Sequence, residues 1–319
     1  MGDRLETLHG QRRLVITEQA ALEGGWRLRL GECDAIVVED PSPEYWALLR
    51  AEGFLLKPRY VTWGMRTPDS DSEYLARLSK NERRTFKVSQ RLAADLGLDI
   101  SVLTRVGPND FAEFLALYDR QIKAMRNGIP IAHGIEPDPD TLQHFFMVRA
   151  FSGSELVAAS MWKLEPERDV VRCGFSATKP ELRGTTRALD LHGFGEVRRR
   201  GMRWVSLGTD PSLYGLVVAP GLFQYKSKLG FAPIPLHHLD PEDDGADDAE
   251  MIVSMGGLTD PALSLAYVGT PDRTASWDAP PPFELVIFAA SAAVDVRPFL
   301  APFVSSSSVV LMPPHPVAE

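Results

Sequence analysis

The chain is poor in cysteine, with two in 319 residues, Cys33 and Cys173. Two thiols far apart in sequence build neither a disulfide framework nor a zinc ligand set, and they suit a reducing compartment. Long apolar runs are missing as well. No stretch reaches the ~18 apolar residues that mark a membrane-spanning helix. The segment Met1–Glu18 is charged and has no apolar core of a signal peptide, so a cytoplasmic protein without membrane contact is expected. Lysine is scarce too, at 8 of the 34 basic residues. Acidic side chains number 43, giving a formal charge of -9, which argues against wholesale coating of nucleic acid but leaves room for a local basic patch.

What is present is ordinary for a globular protein: 44% hydrophobic and 24% charged residues. The length suits about two domains of roughly 150 residues. The run Asp240–Glu250 is the clearest break. It holds seven carboxylates, and without them the charge of the chain would be -2. Like charges so closely spaced repel one another, which predicts a solvated linker over 241–250.

Ahead of that linker the pattern mixes strands and helices. Trp26–Leu30, Ala35–Val38 and Tyr60–Met65 read as strands, and Pro43–Arg50 as a short helix. Ser79–Leu96 reads as a long helix with capping-box spacing between Ser79 and Glu82 and a stop at Gly97. Helices are also predicted over Asp110–Met125, closed by Asn127-Gly128, and over Pro139–Arg149. Strands at Leu156–Leu164 and Val170–Phe175 then lead to a helix over Thr186–Arg200. A strand at Trp204–Leu207, a loop over Gly208–Pro220, a helix over Leu222–Leu229 and a strand over Phe231–Leu236 follow. This β-β-α-β-α-β order defines an α/β unit with a mixed sheet. In the tail, Phe283–Phe288 and Val309–Met312 read as strands, and Ser305–Ser308 as a loop.

Two segments carry chemistry. Lys179–Leu189 joins a strand to a helix, where backbone N–H groups and the helix dipole converge on a natural phosphate site. Arg183 and Arg187 would add charge-assisted hydrogen bonds there. This Pro-Glu-x-Arg-Gly turn, with its amphipathic helix and following strand, resembles the acyl-donor segment of the GNAT acyltransferase superfamily. The resemblance makes Arg183, Gly184, Thr185, Thr186 and Arg187 the donor-binding candidates. Thr186 stands where the family pattern has its middle glycine, and a Cβ crowds the approach of a phosphate to the backbone.

The second segment runs from Leu207-Gly208-Thr209-Asp210-Pro211-Ser212-Leu213-Tyr214 to Phe223-Gln224-Tyr225-Lys226-Ser227-Lys228-Leu229-Gly230-Phe231. With Tyr74-Leu75-x-x-Leu78-Ser79-Lys80-x-x-Arg83-Arg84, it resembles the Fem-type branch of that superfamily. Members of this branch have two GNAT-like halves and include aminoacyl-tRNA-dependent transferases. The likeness covers roughly 70–240, and the tail 251–319 has no counterpart in it. It implies that Lys226 and the Tyr225-Lys226 peptide hold the donor carbonyl or its oxyanion, which acyl transfer must stabilise. Asp210 and Tyr214 lie in the preceding loop, where proton transfer to or from the reacting groups is plausible chemistry. A solvated helix lysine, loop packing for Tyr214 and a turn role for Asp210 are the structural alternatives.

The helix from Ser79 has a basic face. At ~100° per residue, Arg77, Lys80, Arg84, Lys87 and Arg91 fall within about 80° of one another, with Arg83 on the same helix. Such like charges repel, and a phosphate-bearing partner would relieve the cost. A solvated face answered by carboxylates from elsewhere is the alternative.

The expectation is therefore an α/β protein with two GNAT-like mixed-sheet halves, 1–135 and 136–240, the second carrying the active site, followed by the acidic linker and a C-terminal extension, 251–319. The expected activity is amide-forming N-acyl transfer, in biosynthesis, to a small-molecule or peptide amine. The acyl donor serves as a co-substrate and no cofactor is permanently bound. Aminoacyl-tRNA, met through its acceptor arm, is the favoured donor. Acyl-CoA, or a non-catalytic binding role on a degenerate scaffold, remains open. No metal pattern is visible in the spacing of His, Cys and acidic residues. The sequence sets no oligomeric state.

Overall fold

The computed structural model describes residues 2–125, 128–239, 247–269 and 276–312. The expected α/β class with mixed sheets is observed. The chain divides into two compact units, and the division differs from the expected halves. The first unit gathers 1–63, 209–227 and 232–319, while the second holds 64–208 and 228–231. The described residues of the tail, 251–269 and 276–312, thus belong with the N-terminal residues rather than forming a separate extension.

The first unit contains two sheets. One has five strands in the order Arg4–Leu8, Gln11–Val15, Ala35–Glu39, Asp247–Ile252, Leu55–Pro58. The other has four, in the order Leu213–Tyr214, Ala262–Tyr267, Phe283–Ala289, Val304–Leu311. Ala35, Leu213, Ile252, Ala262, Val286 and Phe288 share one buried apolar cluster.

The central strand Asp247–Ile252 corrects the expectation of an acidic linker over 241–250. Residues 240–246 lie outside the described residues, but Asp247, Asp248 and Glu250 are buried. Each has a specific partner. Lys57 Nζ lies 2.9 Å from Glu250 Oε2. The Arg59 guanidinium donates to both oxygens of Asp248 at 2.8–3.2 Å. The Tyr267 hydroxyl donates to Asp247 at 2.5 Å. Repulsion in the run is answered by cations about 190 residues earlier, which local composition cannot reveal.

Other differences have local causes. Trp26–Leu30 is not a strand: Gly25–Arg29 forms a 3-10 turn whose Trp26 Nε1 donates to the carbonyl of Ala21. The helix predicted over Pro139–Arg149 stops at Leu142, and Phe145–Ser152 is a strand. Its run of large apolar residues buries both faces, as a central strand requires. The serine run is not a loop. Ser305–Ser308 lie within Val304–Leu311, at the edge of the four-stranded sheet, and Ser308 donates to Glu284 on the neighbouring strand.

The second unit is built on five consecutive neighbours, Asp99–Leu103, Phe145–Ser152, Glu155–Glu165, Val170–Thr178 and Trp204–Pro211, the last of which ends in the first unit. The first three pairings are antiparallel and the last is parallel. Helix Thr186–Arg199 packs across these strands. A Cβ on its Gly193 would come within 2.2 Å of the Trp162 ring, so the missing side chain lets the helix approach the sheet. Helix Lys80–Asp95 rests on Thr186–Arg199 through Phe86, Ser89 and Ala93, and Gly97 at φ +63° ends it as expected. Ser79 caps its N-terminus by accepting from the Glu82 N–H. The Glu82 carboxylate turns to Arg187 instead, so only half of the expected capping box forms.

Asp34 ties the first unit together. It is 1% exposed, and its carboxylate accepts from the Arg12 side chain, the Arg12 N–H and the Ser254 hydroxyl. Burial by itself raises a carboxyl pKa, but these hydrogen bonds and the Arg12 charge outweigh it and bring Asp34 down to about 2. A lowered folded-state pKa gives stability that is present above the ordinary carboxyl range and lost as pH falls through the folded value. Asp34→Asn is therefore expected to cost about 2 kcal/mol at pH 7, with the gap to the wild type closing between about pH 4 and pH 2. Urea unfolding across that range is the measurement; a gap independent of pH would show that Asp34 does not act through its charge.

Candidate active site

Three of the four candidate catalytic residues meet inside the first unit. Strand Trp204–Pro211 delivers Asp210, the short strand Leu213–Tyr214 delivers Tyr214, and helix Pro220–Lys228 delivers Lys226. Lys226 Nζ donates to Asp210 Oδ1 at 2.8 Å, and the Tyr214 hydroxyl donates to Asp210 Oδ2 at 2.9 Å. Trp63 Nε1 in turn donates to the Tyr214 oxygen at 2.9 Å. Asp210, Tyr214 and Lys226 are 3%, 0% and 4% exposed, which sets aside both the solvated lysine and the open turn.

The surroundings are aromatic. Phe223 meets Trp63 and Tyr214 edge-on at 5.6 and 5.5 Å, and Phe303 meets Trp63 and Phe223. Such a wall excludes water and strengthens the charge interactions within it. Burial first, and then the Asp210 carboxylate, push the Tyr214 phenol well above its ordinary pKa. Tyr214 is thus a proton donor to Asp210, not a phenolate base. Asp210 in turn has an oxygen committed to each donor, which suits a counter-ion that fixes the Lys226 ammonium. Tyr225 is half-buried beside it in sequence. Lys57 reaches the same loop by donating to Ser212 Oγ at 3.2 Å.

The donor turn lies in the second unit. Pro180–Thr185 is a 3-10 turn leading into helix Thr186–Arg199. The Thr185 and Thr186 hydroxyls donate to the carbonyls of Leu182 and Arg183, and Gly184 lets Leu92 of helix Lys80–Asp95 come close. Arg183 is exposed. Arg187 is not: it turns inward over the Phe86 ring, towards Glu82 at 3.4 Å and Asp190 at 3.6 Å. The Ala188 N–H, one of the helix's first-turn donors, is taken by Ser89 Oγ at 3.1 Å. Arg187 and one N–H of the helix N-terminus are thus engaged by helix Lys80–Asp95, while Arg183 stays exposed.

That helix exposes its other side. Lys80, Arg84, Lys87 and Arg91 are exposed, and among the described residues none has a carboxylate within salt-bridge distance. Arg77 pairs with Glu73 one turn back, and Arg83 donates to the carbonyl of Leu78. Of the six basic candidates, Lys80, Arg84, Lys87 and Arg91 are the four without such a local contact among the described residues.

Sequence reading missed Trp63, Phe223 and Phe303 as parts of the site. Trp63 and Phe303 lie far from Tyr214 along the chain, and nothing local marks them. Among the described residues no group of three or more His, Cys, Asp or Glu side chains is placed to hold a metal ion. No helix among them is long and apolar enough to cross a membrane.

Neither a protein-family model nor a curated protein sequence matches the chain. Several solved structures are similar to it. FemX shares 11% identity over 79% of this chain and 84% of its own, with a TM-score of 0.43. L-PGS from Bacillus licheniformis shares 13% over 77% and 79%, with a TM-score of 0.41. A GCN5-related N-acetyltransferase from Sphaerobacter thermophilus shares 13% over 78% and 75%, with a TM-score of 0.35.

Removing one member of a buried ion pair strands the other. Lys226→Met is expected to cost ~3–5 kcal/mol in urea unfolding, and Lys226→Met with Asp210→Leu less than the sum of the single changes. Additive losses would show that the two groups are not coupled. Tyr214 should also stay out of an alkaline phenolate titration until the protein unfolds, which absorbance at rising pH reads directly.

Proposed function

We propose that this protein is an amide-forming acyltransferase that takes an aminoacyl group from aminoacyl-tRNA and gives it to a small-molecule or peptide amine. The observation that carries acyl transfer is the water-excluded Lys226–Asp210–Tyr214 assembly, built around the lysine to which the Fem-type resemblance assigns the donor carbonyl. An amine attacking an aminoacyl ester forms a tetrahedral oxyanion, and a fixed ammonium in a dry site stabilises such charge strongly. Lys226 fills that role, Asp210 and Tyr214 hold it in position, and the Tyr225-Lys226 peptide offers a further contact to the carbonyl. The acceptor's proton leaves with the new C–N bond, and the ribose hydroxyl is the leaving group that takes one up.

Two observations favour tRNA over CoA. The helix N-terminus in the turn where a CoA pyrophosphate would sit already has Ser89 on its Ala188 N–H, and Arg187 is drawn to Glu82. Meanwhile Lys80, Arg84, Lys87 and Arg91 form an exposed stripe without carboxylate partners among the described residues, a surface suited to an RNA phosphate backbone.

Fluorescence anisotropy with labelled charged tRNA, beside calorimetry with acetyl-CoA at the same salt, tests this reading. Binding of tRNA is expected, weakened about tenfold or more by Lys80→Glu with Arg84→Glu, with a salt slope shallower by roughly two. Saturable acetyl-CoA binding lost in Arg183→Ala, without tRNA binding, would replace it with an acyl-CoA transferase.

A further inference from the structure

The second unit contains a cleft of about 870 Å³ that takes no part in the proposed transfer site. Its size falls within the ~300–1,000 Å³ typical of small-molecule sites. The lining comes from the 3-10 turn Ile131–Gly134 and the adjoining residues through His144, together with the ends of strands Glu155–Glu165 and Val170–Thr178.

Glu165, 6% exposed, is the buried carboxylate of the lining. Arg172 is 3.2 Å from it, and Lys163 and Arg168 are each 3.8 Å away. Lys163 and Arg172 both line the cleft beside that one carboxylate. Arg172 spends one guanidinium nitrogen on Glu165, while its Nε–H, shielded from water, has no hydrogen-bond partner. The part of the Arg172 side chain that stays accessible, with the exposed Lys163 ammonium, suits an anionic ligand group. Glu136 and Asp140, both exposed, bring carboxylates to the lining. Phe145 and Phe175 supply its apolar part. Gly174 is an exposed part of the lining, and a Cβ there would meet nothing within 4 Å.

We propose that this cleft binds a small zwitterion with an apolar side chain, a free amino acid or a short peptide. Its carboxylate lies at Arg172 and Lys163, its ammonium at Glu136 and Asp140, and its side chain against Phe145 and Phe175. The inference is independent of the reading of the Lys226 site and of the identity of the acyl donor.

The test uses the full chain, calorimetry and two probes, L-phenylalanine and L-alanyl-L-phenylalanine. Saturable binding of at least one is expected. Blocking either charge of the probe that binds, as its C-terminal amide or its N-acetyl form, should weaken binding about tenfold or more, since each removes a charge-assisted contact. Arg172→Gln should weaken the parent probe similarly and leave the C-terminal amide unchanged. Gly174→Leu fills open space on a strand, so it should abolish binding while the melting temperature stays at or above the wild-type value. Failure of both probes to bind at millimolar concentration overturns the proposal. So does equal binding of a blocked form, or binding that survives Gly174→Leu.

Discussion

A lysine and an aspartate, both nearly shut off from water, are tolerable only as a pair, and the first unit is arranged around that constraint. Lys226 and Asp210 are 2.8 Å apart, and Tyr214 takes the second oxygen of the carboxylate. Removing two charges from water is costly, and a hydrophobic pair of similar volume would serve stability as well or better. An arrangement of this kind is therefore explained better by the charge it holds in place than by the stability it adds. The Phe223, Phe303 and Trp63 rings keep that charge dry, where it acts most strongly on a developing oxyanion.

The same tension recurs elsewhere. Lys57 with Glu250, Arg59 with Asp248 and Arg12 with Asp34 are buried or half-buried pairs that join distant parts of the chain. In each, one member would be a liability without the other. Ser212 links one pair to the loop between Asp210 and Tyr214, so the charges that pin the five-stranded sheet also bear on the candidate site.

Helix Lys80–Asp95 has two sides with different duties. Its inward side supplies Glu82, Phe86 and Ser89 to the start of helix Thr186–Arg199. Its outward side carries four cations that have no carboxylate beside them among the described residues. The arithmetic of helical spacing predicted that stripe, though not that Arg77 and Arg83 would be occupied locally. Local pattern also placed the helices Lys80–Asp95 and Thr186–Arg199 and the strands of the second unit, because their periodicity and stop signals sit in the residues themselves. It failed where the deciding partner is remote. Asp247–Ile252 reads as a solvated acidic run until Lys57 and Arg59 are beside it. Ser305–Ser308 reads as a loop until Phe283–Ala289 offers a strand to pair with. At the candidate site, motif resemblance found Asp210, Tyr214 and Lys226, but Trp63 and Phe303 carry no mark that ties them to Tyr214.

The most direct measurement of the central claim is transfer itself. The protein would be incubated with tRNA carrying a radiolabelled aminoacyl ester and a pool of small amines and peptides, and label would be followed into products that survive mild alkali. Esters are cleaved under those conditions and amides are not. Alkali-stable product with the wild type, reduced at least ~100-fold in a folded Lys226→Met variant, is the predicted result for loss of an oxyanion-stabilising group. Product formed equally well by that variant, or product formed only when acetyl-CoA replaces the charged tRNA, would contradict it.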